Sequence, residues 1–170
     1  MYILDYLKKY EDKKIKLFVD MDGVIADYEF GSAKDYDKKR PLIDNIKKLE
    51  FVSKLPNVEM YIFSATRMSE GYEQKNWWLD KYAPFFKREN RIIISREDND
   101  MIESSKLKAE YLENYDRDES IIIVIDDDPK NLKDIHKLNE DVVLLKDTVL
   151  IDDTMVNLYN ELNSVKVRSK

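Results

Sequence analysis

The sequence predicts an open α/β fold, a Rossmann-like layer of five mostly parallel strands with helices on both faces. Two patterns carry that expectation. Five short, almost continuously apolar runs read as strands buried on both sides: Lys16–Asp20, Val58–Ser64, Arg91–Ser95, Ile121–Ile125 and Val142–Lys146. Segments with apolar residues three or four apart lie between them and read as helices. Strand and helix alternate, which is the signature of parallel pairing through right-handed crossovers.

The elements follow in order. Pro41 suits the first turn of a helix whose stripe is Leu42, Ile46, Leu49, Val52 and Leu55. Trp78, Leu79 and Tyr82 mark a second helix over 72–82, with one tryptophan of the Trp77-Trp78 pair in the core and the other half-buried. Ser104 or Ser105 caps a third, carrying Leu107, Tyr111 and Tyr115. Asp128-Pro129 reads as N-cap and first residue of a fourth, with Leu132, Ile135 and Leu138 facing inward. A last helix is expected over 153–165, then a frayed tail at 166–170. Residues 1–14 form an N-terminal extension, read as an extra helix on the sheet edge or an ordered arm in a dimer.

The chain has 170 residues and a formal net charge of −6, so one domain with a sizeable core is expected over 1–170. It contains no Cys, which excludes disulfides, thiolate zinc sites and Cys nucleophiles. No apolar run approaches the roughly 20 residues that span a bilayer, and the first residues lack a continuous apolar stretch of the secretory kind. A soluble, cytoplasmic protein without a membrane partner is the expectation. The acidic balance argues against duplex DNA binding by phosphate neutralisation. His136, the sole histidine, reads as a surface residue.

In parallel sheets, ligands bind outside the carboxyl ends of the strands, where strand order reverses. The first strand ends in Asp20-Met21-Asp22-Gly23, the second in Ser64-Ala65-Thr66-Arg67, and the fourth in Asp126-Asp127-Asp128. Two like charges about 4 Å apart cost about 4 kcal/mol at an effective dielectric near 20. Such a cluster needs a cation among the carboxylates or raised pKa values. Oxygen ligands without His or Cys favour Mg²⁺. The chemistry suggested is phosphoryl transfer: one carboxylate attacks phosphorus, a second moves protons, and a hydroxyl and a lysine hold the phosphoryl oxygens. An Asp after a strand also serves turns and caps, and Asp128 is read that way.

FVDMDGVIADYE, IFSATR and IIIVIDDDPKNL, each at the end of an apolar strand, resemble in order three motifs of the haloacid dehalogenase superfamily of phosphotransferases. The resemblance covers roughly 15–145 and implies a sheet of order 3-2-1-4-5. It implies Asp20 as nucleophile, Asp22 as general acid/base and Ser64 as the phosphate-binding hydroxyl. It places Mg²⁺ on Asp20, the backbone carbonyl of Asp22, Asp126 and Asp127. An Asp two residues after the nucleophile is the mark of members acting on phosphate esters. Lys106 is favoured over Lys108 as the phosphate-binding lysine, since it lies at the start of its helix. Ala65, Arg67 and Arg96 complete the expected substrate contacts.

DMDGVIADYE, QKNWWLDKYAPFF and IIISRED are similar to segments of 5′(3′)-deoxyribonucleotidases, which implies a small nucleotide substrate. Two features depart from that group. Only a minimal cap fits within 28–40, and Glu97-Asp98 stands where a lysine is usual. The stretch from Arg96 to Lys106 instead resembles the phosphatase domain of polynucleotide kinase–phosphatases, which implies a 3′-phosphatase on nucleic-acid ends. An open site admits bulky substrates. The run Lys38-Lys39-Arg40 reads as a solvated loop or a basic rim, Tyr28 and Phe30 as core or as stacking platforms, and Thr66 as a phosphate contact or a loop support. A low-turnover phosphate-binding regulatory module is the remaining reading. In receiver domains, however, the acidic pair precedes the phospho-accepting Asp, the reverse of the order here.

Overall fold

A computed structural model describes residues 1–28 and 35–151. The five strands are β1 (Ile15–Val19), β2 (Val58–Thr66), β3 (Arg91–Ser95), β4 (Ile121–Asp126) and β5 (Val143–Lys146). All pair in parallel in the order β3-β2-β1-β4-β5, the order expected above. The helices are α1 (Ile3–Lys9), α2 (Ile43–Val52), α3 (Gly71–Tyr82), α4 (Ser104–Glu113) and α5 (Pro129–Leu138). The expected helix over 153–165, the tail at 166–170 and Phe30 lie outside the described residues.

Alternation along the strands splits the core in two. Leu17, Val19, Ile62 and Ile125 face one side, with Ile3 and Leu7 of α1, Leu49 of α2 and Trp78 of α3. Phe18, Phe63 and Val124 face the other, with Leu112 of α4 and Ile135 of α5. There Phe18 stacks on Tyr61 at 4.7 Å between centroids, a preferred arrangement for aromatic rings. The N-terminal extension is thus a helix seated on the core. Among the described residues, no helix is long and apolar enough to cross a membrane.

Several boundaries follow from local chemistry. Asp128 accepts the Lys130 N–H at 2.8 Å and caps α5, with Pro129 at its first position. Pro41 does not begin α2. It bridges Ala26, the Leu42 N–H donates to Ile25 O, and the helix starts two residues later at Ile43. Trp78 is fully buried and Trp77 is 52% exposed. His136 is exposed.

Strand register builds the site. Val19, the last residue of central β1, pairs with Ile62 of β2 and Ile125 of β4. Asp20 therefore leaves β1 level with Asp126, its N–H bonded to Ile125 O at 2.9 Å. β2 runs past β1 and carries Ser64 beyond its end. Residues 106 positions apart meet because the chain turns back to place β4 beside β1.

Candidate active site

A cleft of about 720 Å³ opens at the carboxyl ends of β1, β2 and β4. Asp20, Asp22, Ser64, Ala65, Asp127 and Lys108 line it, with Lys39, Arg67 and Arg96 also on its walls.

Asp20, Asp126 and Asp127 each offer a carboxylate oxygen within 4.8 Å of the others. Asp126 is completely buried. Its Oδ1 accepts the Asp128 N–H at 2.9 Å, and Asn131 Nδ2 donates to both oxygens at 3.0 Å. Lys108 Nζ lies 2.6 Å from Asp126 Oδ2 and 3.1 Å from Asp20 Oδ1. Gly23 has φ +78°, and a Cβ there would come within 2.1 Å of Asp127 Oδ2. The glycine after the second aspartate thus serves both the left-handed turn and the approach of Asp127.

Charge here is unbalanced. Burial pushes the Asp20 carboxyl up to about 7; Lys108 opposes the shift while Asp126 and Asp22 add to it. Burial likewise raises Asp127 to about 6, helped by Asp126 and Asp147. Lys108 is raised: burial works against its charge, and Asp20 and Asp126 outweigh burial. Among the described residues, three clustered carboxylates share one ammonium, which leaves a deficit of positive charge, and all three offer hard oxygen donors. The donor set fits a divalent hard cation such as Mg²⁺.

Asp22 sits in the opposite setting. Lys75 Nζ reaches its Oδ2 at 2.5 Å and Lys39 Nζ its Oδ1 at 2.7 Å. Burial would raise this carboxyl, but Lys75 and Lys39 outweigh it and hold it below the usual carboxylate range. Lys75 also donates to Ser64 Oγ and Ala65 O, each at 2.8 Å. Ser64 is buried, and by accepting from Lys75 it keeps its own O–H free to donate.

The geometry departs from the expected lysine. Lys106 is exposed on α4, while Lys108 is buried between Asp20 and Asp126. Helical period explains the exchange: Ser105, Lys108, Ala109 and Leu112 form the buried stripe, and Lys106 falls outside it. Lying early in the helix does not aim a side chain at the sheet.

Two more lysines enter the site: Lys75, which the sequence reading does not single out, and Lys39, expected there only within a solvated loop or basic rim. Lys75 precedes Trp78 and Leu79 by three and four residues, so it falls on the apolar stripe of α3. A lysine on such a stripe is the signal that could have found it. Of the basic run, Lys38 and Arg40 are exposed and only Lys39 turns inward. Its backbone carbonyl accepts Trp78 Nε1–H at 2.8 Å, and Arg40 pairs with Asp27.

At the rim, Arg67 is exposed. Arg96 spends Nε and Nη2 on the carbonyls of Ile102 and Met101. Thr66 Oγ1 donates to Met68 O at 2.9 Å and braces the loop. Tyr28 is 60% exposed at the cleft mouth.

No family model matches the sequence, and no curated protein does. Solved structures do match. A chain described under "Structure of the Pnkp1/Rnl/Hen1 RNA repair complex" superposes with TM-score 0.61 at 14% identity, over 79% of this chain and 42% of that one. A chain of the "Pnkp1/Rnl/Hen1 complex" gives 0.62 at 14% identity, over 79% and 46%. The HAD domain of effector protein Lem4 from Legionella pneumophila aligns with TM-score 0.48 at 18% identity, over 78% of this chain and 84% of that one. This chain spans less than half the length of the first two of these chains. What it shares with those two chains is the fold, a five-stranded parallel α/β sheet of order 3-2-1-4-5.

Proposed function

We propose that the chain is a Mg²⁺-dependent phosphomonoester hydrolase of the haloacid dehalogenase type, acting on (deoxy)nucleoside monophosphates through an aspartyl-phosphate. The observation that carries this reading is the convergence of Asp20, Asp126 and Asp127 beside Asp22, Ser64 and Lys108 in one cleft.

Asp20 is the nucleophile. An electron pair of its carboxylate forms the bond to phosphorus as the bond to the leaving oxygen breaks. Asp22 gives that oxygen a proton. It then takes a proton from the water that attacks the phosphoenzyme, which frees phosphate and restores Asp20. Lys75 and Lys39 hold Asp22 ionised in the free site, which suits the second step; for the first it takes up the proton of the substrate's phosphate monoanion and passes it to the leaving oxygen. The Ser64 hydroxyl donates to a phosphoryl oxygen, and Lys108 offsets charge on Asp20. Asp20, Asp126, Asp127 and the Asp22 carbonyl would hold Mg²⁺, which supplies charge neutralisation at nucleophile and phosphate.

A second reading is phosphate removal from nucleic-acid ends. The basic wall of Lys39, Arg67 and Arg96 supports it, as does the shared fold with chains of an RNA repair complex. The test is phosphate release from 5′- and 3′-mononucleotides and a 3′-phosphorylated oligonucleotide, with Mg²⁺ and with EDTA. The proposal expects release only with Mg²⁺ and none from Asp20→Asn. Faster cleavage of the oligonucleotide selects the second reading, and activity in EDTA or in Asp20→Asn overturns both.

A further inference from the structure

Lys75 is the most completely enclosed cation of the site, with no exposed side-chain area. An ammonium has three N–H donors. All three are spent inside the protein: on Asp22 Oδ2 at 2.5 Å, Ser64 Oγ at 2.8 Å and Ala65 O at 2.8 Å. The Tyr36 ring lies 4.4 Å from Nζ and closes that side. Lys75 thus has no donor left for a phosphoryl oxygen, which separates it from Lys39 and Lys108.

Its three acceptors come from two different parts of the chain. Asp22 belongs to the turn after β1, and Ser64 and Ala65 to the end of β2. Backbone bonds hold Asp20 level with β4; Asp22 is bridged to Ala26 in the turn beyond β1 and also meets Lys39, but of these partners Lys75 is the one that bonds Ser64 and Ala65 as well. Lys75 is therefore the tie that fixes the distance from the proton-transferring carboxylate to the phosphate-holding hydroxyl. Its own place is set by α3, which Trp78 pins to Lys39 O and Gln74 to the Tyr36 N–H.

We propose that Lys75 is a positioning residue that acts through Asp22 and Ser64, aiming Asp22 at the leaving oxygen without touching substrate. This rests on the hydrolase reading above. The leaving oxygen of an alkyl phosphate needs Asp22's proton; that of an aryl phosphate such as p-nitrophenyl phosphate departs without it. In the step that forms the phosphoenzyme, a misaimed Asp22 therefore costs the two esters differently, whereas a loosened fold costs them alike.

The experiment measures kcat/KM, which reports formation of the phosphoenzyme and not its common hydrolysis, for wild type and Lys75→Met on an alkyl phosphate and on p-nitrophenyl phosphate with Mg²⁺. A misplacement of about 1 Å costs on the order of 10²-fold in such steps, so the alkyl-to-aryl ratio is expected to fall by about that much. A ratio that stays level, or that rises because the lysine acts by charge alone, overturns the proposal. A second measurement needs no variant: a crystal structure of the full chain with Mg²⁺ and beryllium fluoride. Lys75 keeping its three protein acceptors supports the proposal, and a Lys75 contact to fluoride overturns it. A wild type that hydrolyses neither ester and takes up no beryllium fluoride refutes the hydrolase reading and the proposal with it. An active wild type with an unchanged ratio refutes only the role of Lys75.

Discussion

The two aspartates of the first turn, two residues apart, live in opposite electrostatic settings. Asp22 faces the ammonium groups of Lys75 and Lys39. Asp20 shares one ammonium, Lys108, with Asp126, and Asp127 stands beside them. One half of the cleft is complete in protein charge; the other is short of cations. On the proposed reading the first moves protons with fixed aim, and the second gains a divalent ion together with a phosphate. A pair of carboxylates so alike in sequence meets two settings because helices on opposite faces of the sheet supply lysines: Lys75 of α3 for Asp22, Lys108 of α4 for Asp20.

The largest expected break in this contrast is Asp20→Asn, which removes the proposed nucleophile and nothing from the Asp22 side. Phosphate release should fall by at least about 10⁴-fold, by analogy with losses at other covalent nucleophiles. Retention of Asp22 geometry in a crystal structure of that variant would confirm that the halves are separable.

Lys108→Met removes the ammonium between Asp20 and Asp126 and leaves these buried carboxylates uncompensated by it. Urea unfolding in EDTA should lose about 3–5 kcal/mol, and added Mg²⁺ should recover part of it. An unchanged midpoint would contradict the assigned charge deficit. The exposed neighbour sharpens the point: Lys106→Met should stay within about 0.5 kcal/mol of wild type.

Gly23→Ala tests the acidic half through the backbone. A side chain at φ +78° and a Cβ running into Asp127 should cost about 1–2 kcal/mol. Displacing Asp127 should also weaken Mg²⁺ binding, read by calorimetry.

pH separates the halves more gently. Asp20 is raised to about 7 and Asp127 to about 6, whereas both ionise near 4 in the unfolded chain. Over that window the folded chain in EDTA holds more protons than the unfolded one, so its stability falls as pH rises from about 4 to about 7. Asp22 has the reverse sign, contributing stability above its unfolded value that is lost as pH falls below it. Mg²⁺ binds the ionised carboxylates, so the gain in Tm with Mg²⁺ should grow between pH 5 and 7. A gain that does not vary with pH would contradict the assignment.

Much of this was legible in the sequence, for identifiable reasons. The five strands announce themselves because a strand covered on both faces must be apolar throughout, as Ile121–Ile125 is. Asp20, Asp126 and Ser64 were legible because they end such strands. The lysines were not. Lys is abundant, and whether it turns inward depends on its place in a helical stripe and on the carboxylates waiting there. Lys108 and Lys75 could have been found by treating a cation on an apolar stripe as a signal. Lys39 could not: it lies beside exposed Lys38 and Arg40, and its burial comes from the bond between its carbonyl and Trp78, far along the chain.

Calorimetric titration of Mg²⁺ at pH 7 into protein stripped of metal, for wild type and Asp126→Asn, tests the central contrast most directly. The account predicts one ion per wild-type chain and binding weakened at least about tenfold in the variant. Equal Mg²⁺ binding by the two proteins, or none by wild type with phosphate present, would contradict it.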